Sequence, residues 1–78
     1  MDARQIKADH QRLLNNLKIV QKQFTIAKLS ETLGISAGTW IYRMKEPWQR
    51  FGYDDFRQLA DYCKIDIVTL IHGELKLG

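Results

Sequence analysis

The sequence predicts an all-α domain of five helices spanning residues 1–78. Three observations predict it. Apolar residues recur at spacings of three and four rather than two, residues that cap helices precede most of these runs, and glycine or proline follows them. The 78 residues are 45% apolar and 27% charged, as in a folded globular chain. A chain of this length buries only about 60% of its unfolded surface, so most apolar side chains must serve one core.

The first helix is drawn by Ala3, Ile6, His10, Leu13, Leu17, Val20 and Phe24, one stripe with Arg4, Lys7, Gln11, Lys18 and Lys22 on the opposite face. Its first residues are expected to fray. Thr25 caps a second, two-turn helix whose buried edge is Ile26, Leu29 and Leu33, and Gly34 ends it. Ser36 caps a third, through Trp40, Met44 and Lys45, which Pro47 stops by forcing the preceding residue out of the α region. Trp48 to Gly52 reads as a loop. Asp54 and Asp55 suit the positive end of a fourth helix carrying Phe56, Leu59, Ala60 and Cys63 inward. Asp66 caps a fifth, with Ile67, Val68, Leu70 and Ile71, and Gly73 closes it. Glu74 to Gly78 forms a short flexible tail, the one place where a strand is conceivable. No internal repeat and no low-complexity tract stands out.

Charge is unevenly placed. Residues 1–50 hold nine Lys or Arg against four acids, whereas residues 51–78 hold three against five, for a net +3. Such polarity suits a protein that turns one face toward a polyanion. The single cysteine, Cys63, excludes an internal disulfide and any multi-cysteine zinc site and is read as core. No apolar run approaches the roughly 18 residues of a membrane span, and the polar N-terminus lacks a signal-peptide core, so a soluble cytoplasmic protein is expected.

Catalysis is not expected. His10 and His72 have no partner histidine at helical spacing, and Asp9 beside His10 reads as a solvated neighbour rather than a dyad. Ser30 and Ser36 sit at a helix contact and a cap, away from any base. No metal, cofactor or small-molecule substrate is expected, and no membrane association.

Residues 25–45 carry the function. Two short helices separated by Leu33-Gly34-Ile35-Ser36 require a sharp reversal with one residue at positive φ, which glycine supplies without a Cβ clash. Leu29, Leu33 and Ile35 line the corner, and the small Ser30 lets the third helix cross closely. This is the plan of a helix-turn-helix.

The stretch from Thr25 to Pro47, with Leu-Gly-Ile-Ser at its turn and Tyr-Arg-Met-Lys-Glu-Pro at its end, resembles the Cro and phage-repressor (XRE-like) helix-turn-helix family. Phe51, Phe56, Leu59, Ala60, Ile65 and Leu70 are similar to the later helices of that family, so the likeness covers roughly residues 13–73. It implies a compact lambda-repressor-like domain that binds double-stranded DNA as a transcriptional regulator, a repressor of phage or bacterial kind. Ile26 stands where many relatives carry a phosphate-holding Gln, Ser30 where Ala is usual, and Trp40 where Ile, Val or Leu is commoner.

With the third helix in a major groove, Ser36, Ala37, Gly38, Ile41, Tyr42 and Lys45 fall on the base-reading face while Trp40 and Met44 anchor it behind. Thr25, Lys28, Arg43, Gln49 and Arg50 are the expected phosphate contacts, Arg43 reaching either a phosphate or an acid. Trp48 either packs over the first helix or touches the nucleic-acid backbone or a partner. The resemblance also implies a homodimer on a near-palindromic operator, joined either by Val68 and Ile71 or by Leu75 and Leu77. The competing reading is a protein-interaction module that grips its partner through Ile41, Tyr42 and Trp48.

Overall fold

The computed structural model describes residues 3–75 and is all-helical. Its elements are α1 (Ala3–Phe24), α2 (Ile26–Leu33), α3 (Ala37–Arg43), α4 (Pro47–Arg50), α5 (Tyr53–Cys63) and α6 (Ile67–His72). Among the described residues no helix is long and apolar enough to cross a membrane. The radius of gyration of 11.9 Å matches the roughly 11–12 Å of a compact chain this long.

The long α1 is the spine. Its stripe buries Leu13, Leu17 and Val20, but Ala3 and Ile6 at its start are exposed. Periodicity reports which face of a helix is apolar and not how far the other helices reach along it. The first two turns of α1 extend past the packed core.

One polar residue lies inside that stripe. Asn16 is buried, and its Nδ2 donates to the carbonyls of Leu70 and Gly73, each at 2.8 Å, and more distantly to Thr69 at 3.4 Å. Its Oδ1 accepts from the amide of Leu75 at 3.0 Å. The last carbonyls of a helix have no partner within it. Asn16 supplies one from the middle of α1 and thereby locks the C-terminal end of α6 against the spine. The segment expected to be a flexible tail is therefore fastened at Leu75, which packs against the core and belongs to no strand. The rest of that tail, including Leu77, lies outside the described residues.

The corner from α2 to α3 is built as the glycine foretold. Gly34 sits at φ 70°, ψ 31°, its amide donates to the carbonyl of Glu31 at 3.1 Å, and the amide of Ile35 donates to that of Ser30 at 3.0 Å. These two bonds form a Schellman motif. Ser36 then caps α3, its Oγ accepting from the amide of Thr39 at 3.1 Å. Ser30, at the base of the corner, buries a hydroxyl that has no hydrogen-bond partner.

The corner from α5 to α6 repeats this device, although the sequence shows no obvious repeat. Lys64 occupies φ 58°, ψ 45°, its amide donates to the carbonyl of Asp61 at 3.4 Å and that of Ile65 to Ala60 at 2.9 Å. Asp66 then caps α6 by accepting from Val68 and Thr69. Leu33-Gly34-Ile35-Ser36 and Cys63-Lys64-Ile65-Asp66 are thus the same turn. The likeness is hidden because Lys64 holds a left-handed conformation that usually selects glycine.

Residues 48–52, expected to be a loop, contain one turn of helix, which brings the described helices to six. The third helix, expected to run through Met44 and Lys45 to Pro47, instead ends at Arg43 with Met44 as its cap. The chain tightens through bonds from the Lys45 amide to Tyr42 and the Glu46 amide to Arg43, and Glu46 before the proline sits at φ −144°, ψ 68°. The fixed φ and missing amide of Pro47 suit the first position of a new helix. The carbonyl of Glu46 accepts from Gln49 and Arg50, each at 3.0 Å. Trp48 on this turn stacks on His10 of α1 with ring centroids 4.2 Å apart and planes 4° from parallel, so it packs over the first helix.

The two left-handed positions test each other. No atom lies within 4 Å of a Cβ built on Gly34, so a side chain there meets backbone strain alone. Lys64→Gly is expected to stabilise the fold and Gly34→Lys to destabilise it, each by roughly 1 kcal/mol. That corresponds to melting-temperature shifts of about 4–8 °C in opposite directions in a thermal melt. Shifts of the same sign would contradict the shared geometry. Asn16→Leu keeps the volume but strands the carbonyls and amide that Asn16 satisfies. Chemical denaturation should show a loss of about 2–3 kcal/mol, with earlier hydrogen exchange in α6 than in α2.

Candidate nucleic-acid interface

The α3 helix has only seven residues and divides cleanly into an inner and an outer side. Trp40 is fully buried. Its Nε1 donates to Oε1 of Gln21 on α1 at 2.8 Å, and its ring lies 5.2 Å from that of Phe51, which continues to Phe56 at 5.8 Å. Met44 packs against the same core. With the inner side fixed in this way, Ser36, Ala37, Gly38, Ile41, Tyr42 and Lys45 are all exposed. Ile41 and Tyr42 stand out at 53% and 57% exposure.

These six residues differ in freedom. The Ser36 hydroxyl is engaged, accepting from the Thr39 amide and lying 2.9 Å from the Thr39 Oγ1. Ala37 and Gly38 leave the first turn of α3 open, and a Cβ on Gly38 would meet nothing closer than the Ser36 Oγ at 3.9 Å. Lys45 lies just past the helix and is fully in solvent reach.

The expected phosphate contacts separate into two groups. Thr25, Lys28 and Gln49 are exposed. Thr25 caps α2 by accepting from the Lys28 amide at 3.3 Å, and does so at φ 67°, ψ 150°, a region that a β-branched residue rarely occupies. Lys28 borders a shallow cleft shared with Glu31, Thr32 and Tyr62. Arg43 and Arg50, by contrast, are held by protein groups. The Arg43 Nη1 lies 3.4 Å from Oδ2 of Asp55, and its guanidinium carbon is 5.7 Å from the centre of the Phe51 ring. The acid, rather than open solvent, faces Arg43. Arg50 donates from Nη1 to the carbonyl of Tyr42 at 2.7 Å, pairs through Nη2 with Glu46 at 3.1 Å, and sets its guanidinium carbon 4.1 Å from the centre of the Tyr42 ring.

Sequence reasoning missed Glu46, Thr39 and Asp55 as partners of these side chains. The spacing of Glu46 and Arg50 carries a helical i, i+4 signal, but only if residues 47–50 are known to be helical. Arg50 and Tyr42 belong to different helices and have no local signature.

The clefts lie elsewhere. A groove of about 680 Å³ beside α1 is lined by Arg12, Asn15, Asn16, Glu74 and Leu75, and a smaller apolar one, about 180 Å³, by Leu13, Trp48, Phe56 and Ile71. No residue of α3 lines these clefts. Among the described residues no cluster of three or more His, Cys, Asp or Glu groups could hold a metal ion. Burial pushes the Cys63 thiol up to about 11, so it stays protonated and a poor nucleophile at neutral pH.

Comparison of the chain with protein-family models, with curated proteins and with solved structures returned no match.

Proposed function

We propose that the protein is a sequence-specific double-stranded DNA-binding regulator of the helix-turn-helix type, with a lambda-repressor-like arrangement of helices. In this reading α2 and α3 form the motif, α3 enters the major groove, and the protein acts as a transcriptional repressor rather than an enzyme. The observation that carries it is the outer face of α3, where Ala37, Gly38, Ile41, Tyr42 and Lys45 are exposed together while Trp40 is buried directly behind them. A B-DNA major groove admits an α-helix, and small residues at the N-terminal turn with a cation at the far end suit that placement.

Ala37 and Ile41 would read thymine methyls, Tyr42 and Lys45 would donate to base edges, and Ser36 would contribute through its cap rather than as a free donor. Thr25, Lys28 and Gln49 would contact the flanking phosphates. Two copies on a near-palindromic site complete the picture, and Val68 at 61% exposure offers the outer side of α6 for their contact, since Ile71 and Leu75 pack inward.

The exposure of Ile41 and Tyr42 also favours a second reading, a face that grips a protein partner. Selection from a random duplex pool separates the two. The DNA reading expects enrichment of a two-fold site whose affinity, measured by anisotropy, falls roughly tenfold between 50 and 200 mM salt, as two Lys28 side chains each neutralising one phosphate require. No enrichment, with equal micromolar affinity for every duplex, would favour the protein partner.

A further inference from the structure

The charge of Arg50 suggests a phosphate contact, yet its guanidinium meets the Tyr42 carbonyl, the Tyr42 ring and Glu46. We propose that Arg50 is a positioning residue that orients the Tyr42 ring for base reading and so sets sequence preference, an inference that rests on the DNA reading above.

Three contacts converge on one guanidinium. Its Nη1 donates at 2.7 Å to the Tyr42 carbonyl, which also accepts from the Lys45 amide at 3.3 Å. Its Nη2 is 3.1 Å from Glu46, and its plane carries the cation 4.1 Å from the centre of the Tyr42 ring. The side chain is only 27% exposed, whereas Tyr42 is 57% exposed. One face of the phenol is therefore covered by a cation and the rest projects from α3. An exposed tyrosine without such a support samples several rotamers and loses that freedom on binding. Arg50 removes part of that loss in advance.

The same contacts make Arg50 a poor phosphate clamp. Glu46 already offsets its charge, and reaching a phosphate would forfeit both the cation–π contact and the bond to the Tyr42 carbonyl. The single turn of α4, begun at Pro47, is what brings residue 50 back beneath residue 42. A lysine cannot replace the arginine, because the function depends on a planar fork that stacks and donates at once.

Duplex selection with the unaltered chain, Arg50→Lys and Arg50→Ala tests this, together with thermal melts that verify folding and proton NMR of the free proteins. The expected result is relaxed preference at the one or two base pairs beneath Tyr42 in each half-site, a roughly two- to tenfold loss on the original site, and an unchanged salt slope in both variants. In the free unaltered chain the Arg50 δ-methylene protons should be shifted upfield by the ring, and Tyr42→Leu should abolish that shift. An unchanged consensus with uniformly weaker binding, a salt slope lower by about 1.8 for the two copies in Arg50→Ala and recovery in Arg50→Lys would make Arg50 a phosphate contact and overturn the proposal. Enrichment of nothing by the unaltered chain would defeat the DNA reading and the specificity role with it. The upfield shift decides the pairing separately, and its absence overturns the proposal whatever the selection returns.

Discussion

The burial of Trp40 is the constraint on which the outer face of α3 depends. A seven-residue helix is far below the length at which helices persist alone in water, so α3 exists because it is packed. Trp40 supplies that packing from its centre, removing roughly 150–250 Å² of aromatic surface from water. Burial alone would leave an indole N–H unpaired, and Gln21 answers it. The hydrogen bond also fixes rotation of α3 about its own axis relative to α1, and a fixed rotation is what sends Ala37, Ile41 and Tyr42 outward as a set. The Phe51 and Phe56 rings extend the same contact toward α5.

A second constraint acts at the other end of the molecule. Asn16 ties the last turn of α6 and the amide of Leu75 to α1, with both its side-chain polar atoms engaged. A fully satisfied polar group in a core specifies position more narrowly than an apolar one, because any slippage strands several partners together. Gln21 and Asn16 lie on one helix, so α1 acts as a spine that locates α3 by one amide and α6 by another.

Much of this is legible in the sequence. Gly34, Ser36 and Asp66 announce their turns and caps through strong local preferences, and Trp40 and Met44 declare the inner side of α3 by their spacing. The features that escape a sequence reading are non-local or look ordinary. Asn16 finds its partners more than fifty residues away. Lys64 holds a left-handed corner that composition does not advertise. Pro47 carries two opposite signals, ending one helix and starting the next, and the first masks the second. The pairing of Arg50 with Tyr42 depends on that second signal. Residues 3–8 of α1 show the converse, a periodic pattern that stays exposed.

If α3 is the binding face that Trp40 presents, the site should be visible residue by residue. Titration of the isotopically labelled chain with its selected duplex, followed through backbone amide shifts, measures this directly. The account predicts the largest changes at Ala37, Gly38, Ile41, Tyr42 and Lys45, with smaller ones at Thr25 and Lys28 and none on the outer face of α1 at Gln11, Asn15 and Lys18. Changes centred on the α1 face or on the apolar cleft around Trp48, with α3 unmoved, would contradict it.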